Sequence, residues 1–157
     1  MTTKSITQIS AIAALLTIFA LFKIPAILPG LEFQLSAPVS ILILAFFGIK
    51  RYFIGGLISS AILFVMGVFN PLNLFISIMF RVVAITIVYF CGVSVRSLSI
   101  ASCAGTLSSR LILAGILHLP PILLVAHALP GILFTLIVVV ILYPALSKRP
   151  VVQNFCK

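Results

Sequence analysis

Two arginines, Arg81 and Arg110, lie inside long apolar stretches of the chain and not at their ends. A guanidinium in such a place is costly unless it faces a bundle interior, a watery cavity or a partner. It offers a planar fork of donors to a carboxylate, a phosphate or a polarised carbonyl. Asn73, Ser77 and Arg81 recur at intervals of four, which on a helix sets them on one face, with Asn70 just before it. Cys103, Thr106 and Arg110 recur at intervals of three and four, and Arg110 stands eight residues, about 12 Å of helix, from His118. On the next apolar stretch His127 precedes Pro130-Gly131, a pair able to bend a helix and widen the space beside it. Together these residues predict a solute-binding cavity lined by the last three helices.

A second reading stands beside this one. Each arginine can instead anchor helices, bonded to backbone carbonyls or paired with Glu32, and His118 and His127 can be packing or interfacial residues. Catalysis is not expected. Glu32 is the single acid among 157 residues, which excludes a carboxylate pair, and the sequence has no GxSxG, HExxH or phosphate-cradling loop. The chain is therefore read as a non-enzyme with no cofactor. Cys91, Cys103 and Cys156 form no CxxC pair and have no histidine at ligand spacing, so no metal site is predicted.

The elements that position these residues follow from composition. Hydrophobic residues make up 63% of the chain and charged ones only 7%, against about 25% in soluble domains. Apolar runs are separated only by short breaks such as Gly48-Ile49-Lys50-Arg51 and Phe69-Asn70-Pro71-Leu72-Asn73, so lipid is the expected solvent. At about 20 residues per crossing, the runs predict an all-α membrane protein. It is a bundle of about six transmembrane helices in a single domain, 1–157, with spans at 5–22, 35–49, 52–69, 71–93, 98–118 and 121–146. The second run is the shortest. The first follows Lys4 in the manner of a signal peptide, but more membrane follows it, so it is read as a span.

The ten Lys and Arg residues are scattered between spans and form no stripe, which argues against nucleic acid and for topology signals. Six spans with both termini cytoplasmic place Lys4, Lys50, Arg51, Arg96, Lys148, Arg149 and Lys157 inside and only Lys23 and Glu32 outside, the positive-inside bias. One outer loop, 24–34, is substantial. Pro25, Pro29 and Gly30 break helix there, and Glu32-Phe33 offers an acid beside an aromatic, so the loop is either a lid over the cavity or an ordinary connection. Small pairs at spacing four, Ser10 with Ala14, Gly55 with Ser59 and Gly56 with Ser60, mark close helix contacts, those of the third span within the chain.

In this order, Ile24-Pro25, Pro29-Gly30-Leu31-Glu32-Phe33, Leu35-Ser36-Ala37-Pro38, Phe47-Gly48-Ile49-Lys50-Arg51-Tyr52, Phe69-Asn70-Pro71, Phe80-Arg81-Val82-Val83 and Gly105-Thr106 with Ser109-Arg110 give the chain its character. Along nearly its whole length it resembles the substrate-binding S-component of an energy-coupling factor (ECF) vitamin transporter. The resemblance implies a vitamin or related micronutrient bound from outside, between the first loop and the outer halves of the last three helices. Glu32, Phe33, Asn70, Asn73, Arg81, Arg110 and His127 are then the substrate-binding set, for an anionic ligand or a polar heterocycle. It also implies partners, a transmembrane coupling subunit and two cytoplasmic ATPases, in a prokaryotic inner membrane. The family's AxxxA contact motif on the first helix corresponds here to Ser10 and Ala14, with serine in place of one alanine. The competing reading is a membrane scaffold similar to the MreD-like cell-shape proteins, in which both arginines are internal anchors and no ligand binds.

Overall fold

A computed structural model describes residues 3–25, 32–34, 36–118 and 120–148. Helix α1 (Thr3–Leu21) leads into two three-residue strands, β1 (Lys23–Pro25) and β2 (Glu32–Gln34). Helices α2 (Ser36–Val65), α3 (Pro71–Cys91), α4 (Val95–Leu117) and α5 (Pro121–Ser147) follow. All five helices are long and apolar enough to cross a membrane. Large apolar side chains such as Ile122, Ile137, Ile141 and Phe90 lie exposed on the bundle surface, which is stable where hydrocarbon and not water is the solvent. The protein is a multi-pass helical membrane protein.

Helix α2 is two helices joined at Gly48, whose φ of 78° and ψ of 169° are non-helical. The Ser40 and Tyr52 hydroxyls lie 3.2 Å apart although twelve residues separate them. Along a straight helix that separation is about 18 Å, too far for the two side chains to bridge. The arms 36–47 and 49–65 therefore fold back on each other, and Ile41, Ile43, Leu44 and Tyr52 share one buried cluster. The break falls at Gly48 and not at Lys50-Arg51. Lys50 and Arg51 are good helix formers and lie in the second arm, whereas the backbone at Gly48 is one that side-chain-bearing residues adopt only under strain.

The segment predicted as a lid or a connection carries a short antiparallel pairing, Lys23 with Gln34, Ile24 with Phe33 and Pro25 with Glu32. No strand was expected there. Three-residue strands interrupted by proline leave no alternating pattern to read. Strand β2 also approaches α5. Helix α1 packs on α2, α3 on α4 and α4 on α5, while α2 also meets α3 and α5.

Burial is uneven along α3. Between residues 71 and 80 no residue is fully buried, whereas Arg81, Ala84 and Val88 are. The main cluster gathers Ala84 and Val88 with Ile12, Leu16, Leu98, Ala101 and Val139. The fully buried positions of α3 thus lie from Arg81 onward, whereas residues 73–80 are each half-buried. Gly48 yields the first prediction. Since nothing crowds a Cβ at this position, Gly48→Ala isolates backbone strain and should destabilise the protein by about 1–3 kcal/mol, read as a lowered thermal midpoint in detergent.

Candidate functional site

The second arm of α2 carries small residues on two neighbouring faces. Gly55 and Ser59 face α1: a Cβ at Gly55 would lie 2.6 Å from Cγ2 of Ile12, and Ser59 Oγ accepts from Thr17 Oγ1 at 3.0 Å. The intrachain packing expected of these small pairs is what the structure contains. Tyr52, Gly56 and Ser60, again four apart, face α3 and receive Arg81.

Arg81 is only 6% exposed. Its Nη1 donates to Ser60 Oγ at 2.7 Å and to Ser77 Oγ at 2.8 Å, and the two hydroxyls are themselves 2.9 Å apart. The Tyr52 hydroxyl, held by Ser40, is a further neighbour of the guanidinium. A Cβ on Gly56 would stand 2.5 Å from Nε and 2.9 Å from Cδ, so only glycine admits the side chain. Nε has no hydrogen-bond partner among the described residues. A buried charge of this kind is tolerated through its hydrogen bonds, and removing those leaves it unsatisfied at a cost of several kcal/mol.

Arg110 differs. It is half-buried on α4 and has no hydrogen-bond or ionic partner among the described residues. Ser99, Cys103 and Thr106 share its face and are equally half-buried, beside a fully buried face made by Leu98, Ser102, Gly105, Ser109 and Leu113. The polar stripe therefore runs along a groove edge and not through the packed core. Thr106 Oγ1 is bonded back to the Ser102 carbonyl at 2.9 Å, which leaves its lone pairs free to accept.

The remaining predicted residues divide by how they are placed. Asn70 is exposed at the N-terminus of α3, where its side chain makes no capping bond, and Asn73 is half-buried in the first turn. Glu32 and Phe33 lie on β2, and His127 lies in α5 within the half that precedes Pro130. The side chains of these three are outside the described residues. Ser10 and Ala14 are both exposed on α1, opposite its buried Ile9, Ile12, Ala13 and Leu16. No cluster of three or more metal-ligating side chains occurs among the described residues. Tyr52, Gly56 and Ser60 were not among the predicted site residues, although their spacing of four matches that of Ser77 and Arg81.

No family model matches the chain. It is similar to Protein BioX of Lysinibacillus sphaericus, with 44% identity over 133 residues, 85% of this chain and 80% of that protein.

Two glycine substitutions separate the Arg81 cradle from ordinary helix propensity. Gly56→Ala should destabilise the protein by about 1–3 kcal/mol because a packed polar side chain must move. Gly115→Ala, in the same type of helix but with nothing within 4 Å of the new Cβ, should be neutral or stabilising by up to about 1 kcal/mol. Thermal unfolding of the two variants in the same detergent checks both.

Proposed function

The chain belongs to the family of Protein BioX, and from that premise we propose that it is the substrate-capturing membrane subunit of an ECF-type importer. In this reading it crosses a prokaryotic inner membrane six times, the two arms of α2 counting separately, with both termini in the cytoplasm. It takes a vitamin-like solute from outside and hands it inward with a transmembrane coupling subunit and two ATPases. It performs no chemistry on the solute and needs no cofactor.

The observation that carries the reading is the half-buried guanidinium of Arg110, without a partner among the described residues, on a polar stripe within an apolar bundle. A cation so placed gains most from an anionic ligand that forms two parallel hydrogen bonds with it. Thr106 on the same helix, and half-buried Asn73 in the first turn of α3, add neutral donors and acceptors. A solute with a carboxylate at one end and a polar ring at the other suits this set, and biotin, with its valerate and ureido ring, is the first to try. Exposed Ser10 and Ala14 leave a low-relief face on α1 for the coupling subunit.

Two measurements test the proposal. Purified protein titrated with a vitamin panel headed by biotin should show a saturable rise in thermal midpoint. Arg110→Ala should weaken that binding by about tenfold to a hundredfold, as expected for a lost charge-assisted bond, with the unliganded midpoint unchanged. No shift with any member of the panel would sink the reading in favour of a scaffold. Separately, Ala14→Phe should abolish co-purification with the coupling subunit while leaving ligand affinity within about twofold, since the residue lies on the outside of the bundle.

A further inference from the structure

The two arginines have different surroundings, and the difference assigns them different tasks. Every observation at Arg81 points inward. Its Nη1 is used twice, its Nε is covered by Gly56, and the residues that hold it come from the second arm of α2 and from its own helix. It also marks a boundary on α3, with no fully buried residue in the ten positions before it and Ala84 and Val88 buried after it. Through Tyr52 and Ser40 the same polar group reaches the first arm, so one side chain ties together three helical segments at that level.

We infer that Arg81 is a positioning residue that holds the α2 hairpin against α3, at the inner end of the solute cavity proposed above, and that Arg110 alone among the two meets the solute's charge. The cavity and the assignment of Arg110 rest on the binding role proposed above, whereas the tie that Arg81 makes between the α2 hairpin and α3 does not. A guanidinium suits such a tie in a membrane protein for a physical reason. An apolar plug would pack equally well against lipid, but a buried cation bonded to Ser60 of the facing segment loses that bond whenever the segments part, which penalises separation specifically. The Gly56 backbone lies close against Nε, which is itself buried, so water does not reach it from the side of α2.

The test uses the full chain with its native cysteines replaced by alanine and Ala84→Cys added. Ala84 is fully buried one turn beyond Arg81. With Arg81 present, a membrane-impermeant thiol reagent added from outside should label position 84 at least about tenfold more slowly than a cysteine placed at Asn73, because reaction requires local opening. Arg81→Ser should remove that protection. Arg81→Lys, which keeps the charge but not the fork, should give intermediate labelling. In the native-cysteine protein, Arg81→Lys should lower the unliganded thermal midpoint while changing ligand affinity by no more than about threefold. Equal labelling at position 84 with and without Arg81 would overturn the tie. Loss of ligand affinity in Arg81→Lys with its midpoint and labelling unchanged would overturn the division of roles and make Arg81 a ligand contact. A wild-type protein that binds nothing, yet loses protection on Arg81→Ser, would leave the tie standing and reject only the importer reading.

Discussion

A positive charge held within an apolar bundle, with no acid beside it among the described residues, constrains this structure more than any other single feature. In lipid the burial of apolar side chains gives helices little reason to prefer each other over solvent, so association depends on close packing and on polar groups with nowhere else to go. Arg81 supplies both. Its hydrogen bond to Ser60 is made only when the second arm of α2 and α3 are in register, Ser77 on its own helix holds the guanidinium at that level, and its stem fills a notch that Gly56 leaves open. A shift of one helical turn along either element would exchange a satisfied guanidinium for an unsatisfied one.

The same economy of small residues appears on the next face of that arm. Gly55 receives Ile12 and Ser59 meets Thr17, so a single helical segment is gripped on one side by dispersion contacts and on the other by charge-assisted bonds. This segment is in turn continuous with the arm that follows the β1–β2 pairing, turned back on itself at Gly48. The Ser40 to Tyr52 hydroxyl contact closes the fold-back and brings the phenol to Arg81. Register in the hairpin and register between the hairpin and α3 are thereby set by one connected group of side chains.

Much of this was legible in the chain. The bounds of α3 and α5, Pro71–Cys91 and Pro121–Ser147, lie within two residues of those read from hydropathy and proline placement, because an uninterrupted apolar run in lipid leaves the backbone no alternative to helix. The four-residue spacing of Ser77 and Arg81 gave their shared face, since that depends on helical pitch alone. What periodicity could not give was the partner. Tyr52, Gly56 and Ser60 repeat the same interval on another segment, but which face meets which is decided by tertiary packing. The break read at Gly48-Ile49-Lys50-Arg51 contains the turn, but the span bounds at 49 and 52 set it on the basic pair for a related reason: charge marks where a chain leaves lipid, whereas glycine marks where the backbone bends. The β1–β2 pairing was invisible because its strands are too short to carry a pattern.

The scarcity of acid finally bears on what such a protein can be for. With ten basic residues and Glu32 alone to oppose them, the chain can neutralise at most one of its two interior arginines by an internal ion pair. Arg81 is accommodated instead by hydroxyls and a tight notch, with Nη1 bonded to both serines. Arg110 has no such arrangement among the described residues and stays half open beside Cys103 and Thr106. Two cations embedded in the same apolar solvent, one fully housed and one not, are hard to explain as a pair of equivalent anchors. The housed one stabilises the bundle whether or not anything binds. The other remains short of an electrostatic partner, and in the proposed importer an anionic solute supplies that charge each time the cavity fills. Such a ligand would gain binding energy from a desolvated guanidinium while the protein carries no competing carboxylate on the same stripe.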